Sequence, residues 1–448
     1  MMKRAISRGR NIGFTALACG MFGLCISGAA SAAGTTLDSR NTAGELASGT
    51  CFSGGTVDSM AISADGRYMV FASGATNLVP NDTNCHNDIF LRDRLLGTTV
   101  RVNLGAGGVQ ANQTSGNPTI SRDGRYIAYQ SAATNLVSTS TTTAYQIFRY
   151  DTLAKTTVHV SRSTGGVQGN ASSNEPSISN DGRFIAFTSL ASNLVAGDTN
   201  ARPDMFRRDV TSNITIRVSV RNAGGQGNNT SFRDPGPSIS GDGRYVLFTS
   251  NATNLVAGDT NGSPDLFVRD VTGATTRRVS LTNAGGQANS YSYMGRISND
   301  GRYVVFSSLA TNLVAGDTNV AEDVFVRDRT LNTTTRVSVS SSGAQTPTGE
   351  LGSVKPSISN DGRYVAFTSY APNLVTGDTN ELADTFMRDR TTNTTTRVSV
   401  GNAGQQGDAG HTDGVISGNG LFIGFTSNST NLVTDGYNGL TQAFVRAR

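Results

Sequence analysis

The sequence predicts an all-β fold, a seven-bladed β-propeller made of four-stranded antiparallel blades. A repeat, the strand pattern inside it and a set of aromatic positions lead to this prediction. The motif Asp-Gly-Arg-(Tyr/Phe) precedes a short apolar segment six times, and a degenerate seventh copy follows. The copies begin at Asp65, Asp123, Asp181, Asp242, Asp300, Asp361 and Asn419. Their spacing of 58 to 61 residues indicates one supersecondary unit used seven times.

Each repeat contains four short segments with the composition of β-strands. In the fourth repeat these segments are residues 237–240, 245–250, 265–270 and 276–281, separated by Gly, Asn and Asp. Short alternating runs of Val, Ile, Phe and Thr between turn residues predict strands rather than helices. A repeat of this length that contains four strands is typical of a propeller blade.

Aromatic residues recur at three places in every repeat. In the fourth repeat they are Tyr245, directly after the Gly-Arg turn, Phe248 in the same strand and Phe267 in the next strand. Large side chains at fixed places of every unit are expected to form the core and the contacts between blades. We therefore do not assign them to a binding surface.

The two ends of the chain predict how the ring closes. The last repeat stops at its third strand, at Phe444-Val-Arg-Ala-Arg. The segment that begins Gly34-Thr-Thr-Leu is similar to the missing fourth strand of the other repeats. We expect it to complete the last blade, because an unpaired strand edge would otherwise remain open.

Residues 1–32 have the pattern of a cleaved secretory signal peptide, which leaves residues 33–448 as a single propeller domain. Four basic residues precede an apolar run from Ile12 to Ile26, and small residues follow. The pattern predicts a periplasmic or secreted protein without a membrane span. Removing this leader takes four of the 37 basic residues and no acidic residue, which leaves 33 of each sign. A neutral protein is not expected to bind nucleic acid through its overall charge.

Two cysteines remain after the leader, Cys51 and Cys85. In an oxidising compartment we expect one disulfide bond between them, and two free thiols are the alternative.

Two segments of the sixth repeat carry a family resemblance. They are Ser-Asn-Asp-Gly-Arg-Tyr-Val-Ala-Phe-Thr-Ser at 359–369 and Asp-Thr-Phe-Met-Arg-Asp at 384–389. Together they resemble the WD-like repeat of the TolB-type β-propellers. This family includes periplasmic scaffolds, propellers attached to peptidases and pectin-fragment lyases, so the resemblance implies the fold and leaves the activity open.

A second motif, Asp-Thr-Asn-x-x-x-Asp, lies in the loop between the second and third strands. Its oxygen-bearing residues are Asp82, Asn84, Asp88, Asp198, Asn200, Asp204, Asp259, Asn261, Asp265, Asp317, Asn319, Asp323, Asp378, Asn380 and Asp384. Alternating oxygen ligands in a tight loop are typical of calcium sites, and calcium is the one cofactor that the sequence suggests. The alternative is structural, because Asp and Asn side chains also organise loops as Asx turns. The second and seventh repeats lack the motif, so the neighbouring blades seven, one and two are expected to form a chemically distinct arc.

The loops that connect successive repeats contain a recurring glutamine, and candidate catalytic residues are scarce in the rest of the sequence. These glutamines are Gln110, Gln168, Gln226, Gln287, Gln345 and Gln406. We expect a monomeric, non-enzymatic binding or scaffold protein that contacts a protein partner through its long loops, without catalytic residues. A glycan-binding propeller is the alternative, with a groove lined by Gln and Asn and with exposed Tyr291, Tyr293 or Tyr370. A polysaccharide-active enzyme is a further alternative.

Overall fold

The computed structural model describes residues 34–49, 56–231, 236–434 and 438–448, which form seven four-stranded antiparallel sheets. The seven-bladed propeller predicted from the repeat is therefore confirmed. The predicted signal peptide, residues 1–32, lies outside the described residues. No helix in the described part of the chain is long and apolar enough to cross a bilayer.

The strands have similar lengths in successive blades. The chain begins with β1 (Thr35–Leu37), which belongs to the last blade. Blade 1 contains β2 (Val57–Ile62), β3 (Tyr68–Ser73), β4 (Asp88–Asp93) and β5 (Thr98–Arg101). Blade 2 contains β6 (Ser115–Ile120), β7 (Tyr126–Ser131), β8 (Gln146–Asp151) and β9 (Thr156–His159), and a 3-10 turn (Ala106–Gly108) precedes it. Blade 3 contains β10 (Ser173–Ile178), β11 (Phe184–Ser189), β12 (Asp204–Asp209) and β13 (Ile214–Arg217).

The remaining blades repeat this arrangement. Blade 4 contains β14 (Ser238–Ile239), β15 (Tyr245–Ser250), β16 (Asp265–Asp270) and β17 (Thr275–Arg278). Blade 5 contains β18 (Ser292–Ile297), β19 (Tyr303–Ser308), β20 (Asp323–Asp328) and β21 (Thr333–Arg336). Blade 6 contains β22 (Ser353–Ile358), β23 (Tyr364–Ser369), β24 (Asp384–Asp389) and β25 (Thr394–Arg397). Blade 7 contains β26 (His411–Ile416), β27 (Phe422–Ser427), β28 (Gln442–Ala447) and β1.

The first strand of each blade is the innermost one. Each of these seven strands contacts the first strands of both neighbouring blades, so together they surround a central channel. The Asp-Gly-Arg turns and the turns between third and fourth strands lie at one end of the propeller, which we call the turn rim. The loops between second and third strands and the connections between blades lie at the other end, which we call the loop rim.

Aromatic side chains fill the blades and the spaces between them, as the sequence predicted. Within blade 4 the rings of Phe248 and Phe267 are both buried and lie with centroids 5.9 Å apart. Between blades, the ring of Tyr68 packs against Gly124 of the next Asp-Gly-Arg turn. A Cβ atom at Gly124 would lie 2.3 Å from this ring, and the φ angle there is 78°. Both facts require glycine in this turn.

The N-terminal strand closes the ring, which confirms the prediction from the chain ends. β1 pairs with β28 in antiparallel register, with Thr35 opposite Arg446 and Leu37 opposite Phe444. The backbone amide of Asp38 donates to the Ala443 carbonyl at 2.9 Å, and Leu37 is buried. The last sheet is thus built from both ends of the chain.

Deletion of residues 34–38 is expected to destabilise the propeller by roughly 5 kcal/mol, from about three backbone hydrogen bonds and the buried Leu37 side chain. It also exposes the edge of β28 to other chains, so aggregation on heating is expected to increase. Urea unfolding followed by circular dichroism and light scattering would measure both effects. The control is Thr36→Ala, which keeps the strand. If the deletion unfolds at the urea concentration of this control, closure by β1 does not stabilise the ring.

Candidate functional site: the loop rim and the central channel

In five blades an arginine lies between the two aspartates of the predicted calcium motif. In blade 3 the Arg217 Nη1 atom is 3.2 Å from Asp198 Oδ1 and 3.2 Å from Asp204 Oδ2. The other four clusters have the same geometry, with nitrogen–oxygen distances of 2.9 to 3.3 Å. The inner aspartate side chain is fully buried in all five clusters. A guanidinium group therefore occupies the space between the carboxylates.

The asparagine of the motif forms an Asx turn. In blade 1 the Asn84 Oδ1 atom accepts a hydrogen bond from the backbone amide of His86 at 3.0 Å. The Asn84 amide nitrogen donates to the Ala111 carbonyl at 2.9 Å, in the loop that leads to the next blade. Because its oxygen is already bonded to the backbone, this side chain directs a donor and not an acceptor towards Asp88.

Burial shifts the titration of the outer aspartates. It raises the pKa of Asp82 from 3.8 to about 6, and the neighbouring carboxylate of Asp88 adds to the shift while Arg101 opposes it. The pKa values of the other four outer aspartates are raised too, chiefly by burial, in Asp198, Asp259, Asp317 and Asp378. Folded protein holds these protons more tightly than unfolded protein. The blade 1 cluster therefore contributes less stability as pH rises from about 4 to 6, through the pKa of Asp82, and the contribution of the other four clusters changes in the same direction.

The two blades without the motif lack the arginine as well. In blade 2 the three positions are occupied by Ser140, Gln146 and His159. In blade 7 the inner aspartate is replaced by Gln442, and Leu37 takes the place of the arginine in the strand register. The charges thus occur together or not at all, as expected if the arginine is the counter-ion of the carboxylates.

The recurring glutamines connect two loops of the loop rim. In blade 3 the Gln226 Oε1 atom accepts a hydrogen bond from the Thr199 backbone amide at 3.3 Å, and its Nε2 atom donates to the Thr199 hydroxyl at 2.9 Å. Arg217 also donates to the Gln226 side chain, at 3.0 Å. The Gln226 carbonyl then accepts from Asn254 of the next blade at 3.2 Å. These amides hold the rim together, which leaves them poorly placed to line a glycan groove.

The disulfide bond and the calcium site are the two remaining features predicted from the sequence. Cys85 is disulfide-bonded, but Cys51 lies outside the described residues, so the pairing of the two stays a prediction. In the described part of the chain, no three His, Cys, Asp or Glu side chains are grouped to hold a metal ion. Calcium binding also stays untested, although the arginine and the Asx turns favour the structural alternative.

Two of the three histidines belong to the blade cores. His159 stacks on Phe148 with ring centroids 5.1 Å apart, and burial lowers its pKa to about 3. His411 is fully buried against Phe425, and burial lowers its pKa to about 4. Both rings are therefore neutral at physiological pH and closed to solvent, where a general base could not reach a substrate.

Four large apolar side chains are exposed on the loop rim of blades 5 and 6. We call Tyr291, Val320, Leu351 and Tyr370 the rim patch; their exposed fractions are 51%, 71%, 66% and 40%. The Ser353 amide donates to the Glu322 carbonyl at 2.7 Å, which joins the Leu351 segment of blade 6 to the Val320 loop of blade 5.

Other blades carry different residues at the Tyr370 position, which follows the second strand. Blades 1, 2, 4 and 7 have Gly74, Ala132, Asn251 and Asn428 there, and blades 3 and 5 have Leu190 and Leu309, of which Leu190 is also exposed. Tyr291 and Tyr370 are the exposed large aromatic side chains of the described residues. Exposed apolar side chains occur elsewhere on the loop rim too, at Val109, Val167 and Leu190. Blades 5 and 6 differ by their two exposed aromatic side chains, and they lie beside the arc expected from the loss of the calcium motif.

The central channel contains a cavity of about 540 Å³ that is lined by residues of all seven blades, in the first strand of each blade or, in blade 4, just before it. Its walls carry Asp58, Glu175, Arg296 and Lys355. The first strands of blades 2, 3, 5, 6 and 7 are bulged here, where the register to the second strand shifts. Asn117, Glu175, Met294 and Lys355 occupy the bulges with φ angles between 48° and 55°.

The sequence analysis did not identify the residues that line the channel. The position three residues before the conserved isoleucine of the first strand holds a different residue in every repeat: Ser59, Asn117, Glu175, Gly236, Met294, Lys355 and Asp413. The isoleucine itself is present in all seven repeats. The residue one position earlier, Asp58 in the first repeat and Gly116 in the second, is also different in every repeat. Variation between repeats therefore does not by itself mark the side chains that line the channel.

This architecture defines the chain as a seven-bladed β-propeller with a closed ring. No protein-family model and no curated protein matches the chain. Among solved structures it is similar to a prolyl endopeptidase, with a TM-score of 0.52 at 8% identity over 87% of this chain and 50% of that one. It is also similar to the acylaminoacyl peptidase of Pyrococcus horikoshii, with a TM-score of 0.50 at 9% identity over 86% of this chain and 51% of that one.

A TolB structure from Acinetobacter baumannii is matched with a TM-score of 0.38 at 15% identity, over 88% of this chain and 78% of that one. The chain spans about half the length of the two peptidases. At these identities the similarities to the peptidases show the propeller fold alone. Membership of the TolB-type family stays a prediction.

Replacing the arginine of one cluster is expected to destabilise the protein. Arg217→Met leaves two buried carboxylates without a counter-ion, which costs about 3 to 5 kcal/mol. Replacing all three residues by the blade 2 set, Asp198→Ser with Asp204→Gln and Arg217→His, should restore most of this loss, because the three side chains are coupled. Urea unfolding followed by circular dichroism measures both variants. Equal destabilisation of the single and triple variants would show that the residues do not act as a unit.

Calcium is expected to leave the thermal unfolding of the mature protein unchanged, because a guanidinium group lies between each pair of carboxylates. The measurement compares the melting temperature in EDTA, in millimolar calcium and in millimolar magnesium. A rise with calcium alone would mean that the loops bind the ion, since saturating binding to the folded state stabilises it.

Proposed function

We propose that this chain is an exported, non-enzymatic binding or scaffold propeller that contacts a protein partner through its loop rim. The predicted signal peptide supports export to the periplasm or the cell exterior. The observation that carries the proposal is the rim patch on blades 5 and 6. Its members are exposed although most large apolar side chains of the repeat are buried.

The chemistry of the rim patch suits a protein partner. Tyrosine combines a large apolar surface with a hydroxyl group and is enriched in the central parts of protein interfaces. Val320 and Leu351 add aliphatic surface from the adjoining loops. The hydrogen-bonded clusters of the loop rim hold these residues on a rigid support, which lowers the entropy lost on binding.

A glycan is the second candidate, because Tyr291 and Tyr370 are exposed as that hypothesis requires. The recurring glutamines, which it would also need, are bonded within the rim. We therefore place the protein partner first.

The test uses a double variant of the patch, Leu351→Ser with Tyr370→Ser. Immobilised mature protein is incubated with an envelope extract of the producing cells, and bound proteins are quantified by mass spectrometry. We expect a partner that the wild type enriches and that the variant retains about tenfold less, because burying an aromatic anchor contributes more than 1 kcal/mol to binding.

The matched control is Leu153→Ser with Leu421→Ser, which removes two exposed leucines of the turn rim, 73% and 44% exposed. This control should retain the partner at the wild-type level. Equal recovery by the patch variant and the wild type would overturn the proposal. If instead the wild type binds an oligosaccharide panel and the patch variant does not, the glycan candidate replaces it.

A further inference from the structure

The fourth strand of every blade is the outer edge of its sheet, and it carries a threonine at the same register position. In the order of the blades these residues are Thr99, Thr157, Thr215, Thr276, Thr334, Thr395 and Thr35. Each hydroxyl donates to a carbonyl of the connection that precedes its blade, as the Thr157 hydroxyl does to the Leu104 carbonyl at 2.6 Å. The connection therefore runs beside the sheet edge in every blade.

In six blades a side chain of that connection bonds to the outward backbone of the threonine; we call this side chain the edge cap. In blade 7 the Asn402 Oδ1 atom accepts from the Thr35 amide at 2.7 Å, and its Nδ2 atom donates to the Thr35 carbonyl at 3.1 Å. The edge caps of blades 1, 3, 4, 5 and 6 are Thr42, Thr164, Asn222, Asn283 and Ser341. Such caps matter because an edge with unpaired backbone groups readily pairs with another chain.

Blade 2 has no edge cap. The equivalent residue of its connection, two positions after Leu104, is Ala106, whose methyl group forms no hydrogen bond. Among the described residues, nothing bonds to the outward amide and carbonyl of Thr157. Thr157 is also half-buried and Ala106 is exposed, whereas the threonines of the six capped blades are at most 5% exposed. The sheet edge of blade 2 is therefore open to solvent at this residue.

A second contact is absent from the same place. In the six capped blades an arginine of the third strand donates to the threonine hydroxyl at 2.9 to 3.2 Å; these are Arg92, Arg208, Arg269, Arg327, Arg388 and Arg446. Arg92 also donates to the Asn41 carbonyl of the connection at 3.1 Å. Blade 2 has Tyr150 at this position. The edge cap and the arginine thus occur together in six blades and are both missing from blade 2.

The edge caps of the other blades show which chemistry fits the open edge. The Thr157 amide needs an acceptor and its carbonyl needs a donor, and a neutral carboxamide group supplies both, whereas a carboxylate has no donor and an ammonium group no acceptor. Hydroxyl caps are 3.4 Å from the carbonyl in blades 1, 3 and 6. The carboxamide of Asn402 bonds to both groups at shorter distances. A carboxamide is therefore the better complement.

We propose that the outer edge of blade 2 is a second protein-binding surface, which receives an asparagine or glutamine side chain of a partner protein in place of the missing edge cap. The carboxamide oxygen of the partner accepts from the Thr157 amide, and its nitrogen donates to the Thr157 carbonyl. Ala106 leaves the space that an edge cap fills in the other blades. This surface belongs to blade 2 and the rim patch to blades 5 and 6, so the two proposals can fail independently.

Amide hydrogen exchange tests whether the edge is open. We expect the Thr157 amide of the mature protein to exchange about tenfold faster than the amides of Thr99 and Thr215, because a bonded amide must open before it exchanges. Ala106→Asn restores an edge cap and should slow Thr157 to the rates of the other two. Nuclear magnetic resonance of the labelled protein measures the individual amides. Equal rates for all three threonines in the wild type would overturn the proposal.

A subtractive selection tests binding. Random linear heptapeptides displayed on phage are depleted on immobilised Ala106→Asn and then selected on the wild type. We expect the enriched peptides to share an asparagine or glutamine and to bind the wild type about tenfold more tightly than Ala106→Asn, through two hydrogen bonds. Replacing that peptide residue by alanine should cause the same loss. The matched control is Ala223→Asn, which adds the same side chain beside the existing edge cap of blade 4.

Ala223→Asn and the double variant of the rim patch should both bind the selected peptides as the wild type does. Ala106→Thr repeats the test with the edge cap that blade 1 carries, so the outcome does not depend on one variant. Failure to recover any peptide that distinguishes the wild type from both Ala106 variants would overturn the proposal. Enriched peptides without an amide side chain would overturn it too, because they would occupy the edge by different chemistry.

Discussion

The pairing of β1 with β28 is the constraint on which the rest of the propeller depends. Each blade buries both faces against its neighbours, so a blade at an open end would leave apolar surface and a strand edge in water. The pair joins Leu37 to Phe444, near opposite ends of the chain. All seven blades must therefore be in place before the last sheet can form. The channel exists only in the closed ring, because every blade contributes one strand to its wall.

The most repeated polar residues of this protein are bonded to one another within and between blades. Arg217 links Asp198, Asp204 and Gln226 within one blade, and Asn254 links that blade to the next. A repeat protein needs such contacts in every unit, since each unit is supported only by its neighbours. Our proposal therefore places binding at positions where the repeats differ. Both the rim patch and the outer edge of blade 2 are such positions.

The fold could be predicted because its determinants are local and repeated. Gly124 is required by its own φ angle and by the adjacent ring of Tyr68, and the same turn recurs along the chain. The arginine–aspartate clusters were harder to predict, because the residues that meet in each cluster come from different strands and loops. Asp204 and Arg217 meet only because β12 and β13 pair. The sequence pattern alone presented two carboxylates and an amide, which also suits calcium. A comparison of the repeats would have shown that the arginine is missing from the same two repeats that lack the aspartate motif.

The sequence by itself determined the number of blades, the four strands of each and the strand that closes the ring. These follow from the length of the repeat, from the alternation of side chains along each strand and from the residues found at turns. All three can be read along the chain without knowing which residues are in contact. Only the tertiary structure decided that arginines lie between the aspartates and that Glu175 and Lys355 face a common channel. The physical reason is that strand pairing brings the charges together, while a bulge interrupts the alternation that would otherwise predict where a side chain lies.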